Sequence, residues 1–339
     1  MSTVNTVKFT PEQLAEAAAK FSGKLLQIPR LSLDAMMQYL TPRLGITGKE
    51  IVGTSAARAQ LHPYRRDEIQ EGTAEVQLRV LETHFGTCNY PFAPNDIIKT
   101  ILGHIASQAK GDNLKSTISA QMVLADVAAS IGEDLGYAVW QGKFNPDGKD
   151  TLSLFDGYDE ITRKEIEAGN IHQEKGNYAV IKRINKENAV DVFKYIARRL
   201  HPILRRTECF MFVDPWLADM YNDCYAMTHQ GLVYNDKYDQ VAVEGTAGKL
   251  IIVPLAEKAG SQYIQISPKS NMLFGCDGMS DKESINIGKY SPDTLMFELR
   301  TFYGVQFESL DPRRLFVAYI EDIGADKNDF ENMDGVDAD

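Results

Sequence analysis

The most constraining feature of the sequence is a long helical pattern from Thr117 to Gln141. Its apolar side chains recur every three or four residues and would share one face: Leu124, Val127, Ile131, Leu135 and Ala138. A helix of roughly 25 residues is about 37 Å long at 1.5 Å per residue. Gly142 is placed to end it. This is the strongest helix pattern in the chain, so any predicted fold has to accommodate it.

Two further helices and several strands are predicted after this long helix. Residues 185–206 have helical spacing, and Pro202 limits the regular part of that helix. Asp214 and Pro215 fit the N-cap and the first residue of the next helix. The short apolar stretches GKLIIVPL and QYIQISP predict strands, and the alternation from Leu295 to Phe307 predicts a long strand with one solvent-facing side. Together these elements predict an α+β fold.

The first hundred residues predict a helix and a long hairpin. The segment TPEQ at Thr10 has a capping residue, a proline at the first helical position and a glutamine three residues on. Between Gly48 and Phe92, Val76, Leu78 and Val80 alternate with polar residues, which is typical of a half-exposed strand. The preceding stretch HPYRRDEIQEG is very polar. A long β-hairpin that reaches into solvent and has little core of its own is therefore predicted.

The charge balance argues against a surface that holds nucleic acid or anionic lipid. The 339 residues include 36 basic and 47 acidic side chains, a net charge of −11, whereas surfaces that bind phosphate groups are usually basic. Residues 321–339 contain eight acidic residues and one lysine, a net of −7, which leaves −4 for the remainder. This tail is predicted to be solvated or disordered.

The cysteines and the amino terminus indicate a reducing compartment. The four cysteines contain no CxxC pair, so neither a disulfide framework nor a zinc ribbon is predicted. The first residues lack the basic-then-apolar layout of a signal peptide, and no run of about 18 apolar residues could cross a bilayer. The expectation is a soluble protein made in the cytoplasm.

Two segments resemble ligand-binding loops but fail the patterns of those loops. With Gly148 at position six of a calcium loop, Lys143 falls at position one and Leu154 at position twelve, where oxygen ligands are required. Asn145 to Gly148 is instead predicted to form a β-turn. In GTAGKL, two residues separate the glycines where a phosphate loop has four, and leucine replaces the Ser or Thr. This segment is also predicted to be a turn.

The histidines and cysteines give no candidate reactive centre. The histidines at positions 62, 84, 104, 172, 201 and 229 are never closer than twenty residues, so no helical metal-ligand pair exists. Cys209 and Cys224 lie in apolar patterns and are predicted to be buried. Cys276 lies in a polar setting, where Asp277 and Asp281 would disfavour a thiolate.

No other catalytic or cofactor pattern is visible in the sequence. Trp140 and Trp216 lie on helical stripes and are predicted to pack in the core. Neither a GxSxG elbow nor a GxGxxG fingerprint occurs. No catalytic, cofactor-binding or metal-binding residue and no cofactor is therefore predicted, and the protein is not expected to be an enzyme.

The order of elements from residue 117 onward resembles a known family. The long helix ends in VWQGKF and is followed by the polar NPDGKD and the apolar LSLFDGYDEI. Then come the helix at 185–206, the strand and helix FMFVDPWLADMYNDCYAMT, and the strand, turn and strand of GKLIIVPLAEKAGSQYIQISP. The closing strands are LMFELRTFYGVQFESLDPRRLFVAYI. This arrangement is similar to the major capsid protein of tailed bacteriophages, which has the Hong Kong 97 fold.

The resemblance implies an α+β, Hong Kong 97-like capsid fold with a long spine helix, an extended β-hairpin loop and an N-terminal arm. The implied parts are an N-terminal arm (1–47), an extended β-hairpin loop that overlaps a neighbouring subunit (48–92), a peripheral domain (93–150 and 286–320) with the spine helix (about 117–141), an axial domain (151–285) and an acidic C-terminal tail (321–339).

The resemblance also implies a structural function. The chain would self-assemble through hexamers and pentamers into the icosahedral head of a tailed phage or prophage, in the host cytoplasm, and would enclose the DNA genome in the virion. Its implied partners are itself and the scaffold, portal and decoration proteins, with no sequence-specific nucleic acid and no membrane. Ordered backbone costs about 1–2 kcal/mol per residue, so a long hairpin and arm with little core are expected to be covered by neighbours.

Two alternatives stay open at the level of sequence. One is an encapsulin-like compartment shell protein with the same fold. The other is a cytoplasmic hydrolase or transferase of unknown substrate that uses scattered Asp, His and Cys side chains.

Overall fold

The computed structural model of the chain is built around three β-sheets. It describes residues 34–58, 73–92, 127, 129–228, 241–277, 285–291 and 294–323. The strands are β1 (Thr41–Leu44), β2 (Lys49–Arg58), β3 (Thr73–Glu82), β4 (His84–Phe92), β5 (Tyr178–Ile184), β6 (Cys209–Val213), β7 (Leu250–Pro254), β8 (Tyr263–Ser267), β9 (Met272–Cys276), β10 (Ile285–Ser291), β11 (Thr294–Phe307) and β12 (Phe316–Ile323).

The pairing of these strands defines the sheets. The first sheet has the order β1-β9-β11-β10, and β4 also pairs with β11. The second has the order β5-β12-β8-β6-β7, and β2 pairs with β3 in a separate two-stranded sheet. The predicted strands at β7, β8 and β11 are confirmed, and β11 connects β4, β9 and β10 through antiparallel ladders.

Six helices pack on these sheets within the described ranges. They are α1 (Asp34–Met37), α2 (129–141), α3 (Tyr158–Glu167), α4 (Ala189–Arg199), α5 (Pro202–Arg206) and α6 (Pro215–Thr228). Residue 127 is helical too, whereas 117–126 of the predicted long helix lie outside the described residues. The helix predicted from Thr10 and the stop predicted at Gly231 also lie outside them.

Two glycines explain how the chain leaves α2. The Gly142 amide donates to the Ala138 carbonyl at 3.0 Å, and the Gly157 amide donates to the Gly142 carbonyl at 2.8 Å. A Cβ on Gly142 would lie 2.4 Å from the Ala138 oxygen, and one on Gly157 would lie 2.6 Å from the Trp140 oxygen. The backbones can therefore approach this closely only where no side chain is present.

Between these glycines the chain makes the predicted turn. The Gly148 amide donates to the Asn145 carbonyl at 3.0 Å, and the Asp147 amide donates to the Asn145 Oδ1 at 3.1 Å. The segment Gly245–Gly248 is also a turn, with Ala247 at a positive φ of 52°. Both predicted turns are confirmed.

Proline determines the boundaries of the helices in the second half. The helical pattern of 185–206 divides into α4 and α5 because His201, which precedes Pro202, adopts φ −55° and ψ 140° instead of a helical conformation. At the start of α6, Asp214 Oδ1 accepts a hydrogen bond from the Trp216 amide at 2.8 Å. The predicted cap is thus confirmed.

The buried side chains form two large clusters, one on each side of the second sheet. The first lies between this sheet and the helices α4 and α6, where the ring centroids of Phe193 and Tyr221 are 4.8 Å apart. The second joins the first sheet, α2 and α3, with Trp140 fully buried against Tyr158 and Phe212. Trp216 packs against the first cluster and is only partly buried. Burial of this apolar surface is the main stabilising term.

The sheet pairing does not follow the predicted domain boundaries. Strand β9 falls in the predicted axial range 151–285 but pairs with β11 in the first sheet. Strand β12, predicted to belong to the peripheral domain and the tail, pairs with β5 and β8 in the second sheet. Strand β4, in the predicted hairpin range 48–92, pairs with β11 along its whole length. Local periodicity does not specify such long-range strand partners, and the domain ranges stay predictions.

Candidate interaction surface

The hairpin of β2 and β3 exposes an apolar stripe on one face. Ile51 lies opposite Val80, and Gly53 lies opposite Leu78, so these side chains project from the same face. Ile51, Leu78 and Val80, here called the apolar stripe, are 70%, 66% and 46% exposed. An exposed apolar ribbon of this kind marks an interaction site or an aggregation hazard.

The opposite face of the hairpin packs on the body of the protein near its base. Val52 and Leu81 are buried there, together with Ile46 and Leu273 of β9. This is a small cluster compared with the two clusters of the body. The hairpin is therefore attached at its base and contributes little core of its own.

A partly buried arginine fixes the hairpin to the first sheet. The Arg79 guanidinium donates to the Phe307 carbonyl at 3.1 Å, to Glu165 Oε1 at 2.7 Å and to Gln306 Oε1 at 2.8 Å. The Gln306 side chain in turn donates to the Val80 carbonyl at 3.1 Å. The side chains of Arg79 and Glu165 are 13% and 18% exposed. Charge-assisted hydrogen bonds shielded from water hold β3 in one orientation on β11 and α3.

A threonine closes the base of the hairpin. Thr83 accepts a hydrogen bond from the Gly48 amide through its Oγ1 at 2.8 Å, and its own amide donates to the Gly48 carbonyl at 2.7 Å. Its hydroxyl donates to the Ile46 carbonyl at 3.2 Å. Next to it, a Cβ on Gly304 would lie 2.1 Å from the Glu82 carbonyl oxygen. The chain therefore changes sheets here at a tightly packed point.

An open groove of about 830 Å³ lies between β4, α2 and the segment 144–154. Cys88 and Asp134 are among its lining residues, and His84 stacks on Phe144 with ring centroids 4.1 Å apart. Burial, followed by the charge of Asp134, raises the pKa of the Cys88 thiol. This thiol stays protonated at neutral pH and is a weak nucleophile.

The other three cysteines are buried, as predicted for Cys209 and Cys224. Burial, with a smaller effect of Glu208, raises the pKa of Cys209 to about 12. The predicted polar setting of Cys276 is wrong, because this residue lies in β9 and is 2% exposed. The acidic residues that follow Cys276 in the sequence suggested a polar surrounding. In the structure, β1 and β11 pair with the two edges of β9.

The described histidines have structural contacts. His172 accepts from the Glu174 amide at 3.3 Å and His201 accepts from the Ile203 amide at 3.2 Å, each through Nδ1, so both cap short helices. The histidines at 62, 104 and 229 lie outside the described residues. Among the described residues, no group of three or more metal-ligating side chains comes together. The helices in this part of the chain include none long and apolar enough to span a membrane.

Sequence reasoning missed a buried ionic cluster around Lys258. Its ammonium group is fully buried and lies 2.7 Å from Asp159 Oδ1, 2.6 Å from Gln265 Oε1 and 4.9 Å from the Trp140 ring centroid. Asp159 also accepts hydrogen bonds from Ser261 and Gln265. Because the polar groups of Lys258, Asp159, Ser261 and Gln265 are paired with one another, the cluster acts as a structural connection between α3 and β8. The contact of Lys258 with the Trp140 ring extends it to α2. In the sequence, Lys258 lies in the short segment AEK (Ala256–Lys258), which shows no pattern that would reveal this cluster.

Comparisons with solved structures show that the chain has the fold of phage capsid proteins. The "Satellite phage P4 procapsid including size determination (Sid) protein" matches 89% of this chain and 91% of its own, with 12% identity and a TM-score of 0.59. The "Cyanophage A-1(L) capsid asymmetric unit" matches 88% and 94%, with 10% identity and a TM-score of 0.52. The "Capsid of native GTA particle" matches 95% of both chains, with 10% identity and a TM-score of 0.51.

No protein-family model and no curated protein sequence matches the chain. At such low identity the structural likeness shows the fold and not the function. The predicted mixed helix and sheet fold of the phage capsid type is confirmed, while the roles of the spine helix, hairpin loop and arm remain predictions.

Proposed function

We propose that this chain is a major capsid protein that self-assembles into the icosahedral head of a tailed bacteriophage or prophage and encloses its DNA. The observation that supports this proposal most strongly is the structural similarity to three capsid proteins, which extends over about nine-tenths of this chain and of each compared chain. Its partners would be copies of itself in hexamers and pentamers, with scaffold, portal and decoration proteins. It would assemble in the host cytoplasm and remain in the virion.

The apolar stripe supports this proposal. On an isolated subunit, Ile51, Leu78 and Val80 are exposed to water, which is unfavourable for apolar surface. A neighbouring subunit that covers the apolar stripe would remove this surface from water. The hairpin would thus be the extended loop that overlaps a neighbour, and Arg79 would hold it at the angle that overlap requires.

The alternatives receive less support. An encapsulin-like shell protein would share the fold, but the three structures that carry the argument belong to phage and GTA capsids. A hydrolase or transferase would need an activated group. The Cys88 thiol in the groove beside β4 has a raised pKa, which disfavours that role.

The test is assembly of the purified full chain and of two variants on the same strand. We expect the wild-type chain to form capsomer rings or shells in negative-stain micrographs. Leu78→Asp places a charge in the apolar stripe and should abolish these assemblies while the thermal unfolding of the subunit is unchanged. Gln77→Asp is the matched control, because Gln77 is exposed on the opposite face. A wild-type chain that stays monomeric with every scaffold tested, or a Leu78→Asp chain that assembles normally, would refute the proposal.

A further inference from the structure

Four exposed arginines are concentrated at one end of the layer formed by α4, α5 and α6. Arg198 and Arg199 end α4, and Arg205 and Arg206 end α5. All four are exposed. No described carboxylate forms an ion pair with any of them, although Lys194 on the same helix pairs with Glu244 at 2.8 Å. This group of four is here called the arginine end.

The surroundings of the arginine end resemble a protein interface. The Arg199 guanidinium lies 5.1 Å from the centroid of the Tyr195 ring, and Tyr195 and Ile203 are 44% and 52% exposed. Arginine and tyrosine are enriched in protein interfaces, where lysine and glutamate are depleted. Exposed apolar side chains next to unpaired guanidinium groups favour a protein partner over bare phosphate groups.

The other end of the same layer is acidic. The Cys224 thiol of α6 donates to the Glu187 carbonyl at 3.3 Å, which brings α6 next to the start of α4. Three exposed carboxylates and one exposed lysine lie here and give a net charge of −2: Glu187, Asp191, Asp223 and Lys186. Because α4 contains 11 residues, this acidic end lies roughly 16 Å along the helix from the arginine end.

We infer that the arginine end of one copy binds the acidic end of the next copy, so that α4, α5 and α6 form a head-to-tail contact between subunits. Such a contact joins two different surfaces and can close into a ring of identical subunits. It rests on the proposed function, since it specifies one surface through which the copies assemble. Opposite charges on the two ends would orient the approaching subunits and select the correct register.

The two other acidic partners are less suited to the arginine end. Nucleic acid would have to approach a chain with a net charge of −11. The C-terminal residues 324–339 carry six acidic residues and one lysine, a net of −5. However, the described chain ends at Ile323, which pairs with Ile184 directly before the acidic end. The chain therefore leaves the second sheet on the side away from the arginines.

Charge reversal of the full chain tests the inference. The triple variant Arg198→Glu, Arg205→Glu, Arg206→Glu changes the charge of the arginine end from +4 to −2. The double variant Asp191→Lys, Asp223→Lys changes the charge of the acidic end from −2 to +2. Each of these two variants alone should assemble at least about tenfold less than the wild type, because like charges then face each other. An equal mixture should recover assembly into six-membered rings, in which the two variants alternate and each reversed end meets an end of opposite charge. Sedimentation velocity and negative-stain microscopy give the assembled fraction.

The control is the triple variant Lys149→Glu, Lys175→Glu, Lys269→Glu, which makes the same change in net charge as the arginine variant at exposed positions elsewhere and should assemble like the wild type. The inference is overturned if either reversed variant assembles normally, if the mixture stays unassembled, or if the control is equally defective. It is also overturned if deletion of residues 324–339 reduces the assembled fraction as much as the arginine variant does. Nuclease treatment of the wild-type chain that reduces the assembled fraction to the same extent would overturn it too. Failure of the wild-type chain to assemble would instead refute the proposed function.

Discussion

The buried Lys258 permits a quantitative test of what holds the body together. Lys258→Met retains the apolar stem of the side chain but removes the ammonium group that lies 2.7 Å from Asp159 and 2.6 Å from Gln265. Loss of one partner of a buried ion pair costs about 3–5 kcal/mol, because the other charge stays buried and uncompensated. Asp159 is 13% exposed and keeps its hydrogen bonds from Ser261 and Gln265. The lower end of the range, about 3 kcal/mol, is therefore expected.

The assay is unfolding in urea, monitored by tryptophan fluorescence. The Trp140 ring lies 4.9 Å from the Lys258 ammonium group and reports on this cluster directly. The free energy of unfolding is expected to fall by about 3 kcal/mol per M of urea. A loss of about 3 kcal/mol should therefore lower the unfolding midpoint by about 1 M. Lys164→Met is the control. It removes the ammonium group that lies 2.6 Å from Asp156, but these side chains are 50% and 28% exposed, so the cost should stay below about 1 kcal/mol.

A pH series adds a second readout for the same residue. Burial lowers the pKa of Lys258 below its ordinary value of 10.5, and the nearby charge of Asp159 opposes this shift. Between the lowered pKa and 10.5, the unfolded chain binds more protons at this residue than the folded chain does. The contribution of Lys258 to stability therefore rises with pH in this window, and Lys258→Met should lack that rise. A midpoint shift no larger than that of Lys164→Met would refute the reasoning.

Three further predictions concern the hairpin, the end of α2 and acid stability. Arg79→Met removes the partly buried hydrogen bonds that attach the hairpin and should weaken its attachment by about 1–3 kcal/mol. The effect should be visible as faster amide hydrogen exchange in β3, and unchanged exchange would contradict it. Gly142→Ala should lower the unfolding free energy by about 1–3 kcal/mol because its Cβ would overlap backbone oxygens, whereas Gly136→Ala, with ordinary contacts only, should not. The hydrogen bond from Arg163 is the largest cause that lowers the pKa of Glu160 from its ordinary value of 4.5. The stability it provides is present above that value and is lost as the pH falls through the lowered pKa. Glu160→Gln should therefore lose less thermal stability over that acidic range than the wild type, and equal slopes would exclude this effect.

Local patterns predicted the helices and strands well where one residue type controls the backbone. The cap at Asp214 and the break before Pro202 follow from hydrogen bonding and steric exclusion within two or three residues. The alternation from Leu295 to Phe307 matches β11 because one face of that strand is buried and the other is not. The apolar stripe was visible in the same way, through Leu78 and Val80.

Long-range partners could not be predicted in this way. Nothing in the sequence near Lys258 indicates that it meets Asp159, which lies 99 residues earlier in the chain. Arg79 likewise meets Glu165 and Gln306 only after β3 is placed on β11. The setting of Cys276 was predicted wrongly for the same reason, since the strands β1 and β11 that pair with β9 lie far from it in sequence. Such contacts depend on sheet topology, which local periodicity leaves open.

The contrast between the body and the hairpin indicates where folding and assembly can be separated. The body is stabilised by two large apolar clusters, so its stability depends on many side chains. The hairpin depends on a small cluster and on the polar contacts of Arg79 and Thr83. Substitutions on its exposed face remove no intramolecular contact of comparable size. A subunit that must fold before it meets its neighbours is expected to have this division, because the surface left uncovered after folding is the surface available to other copies.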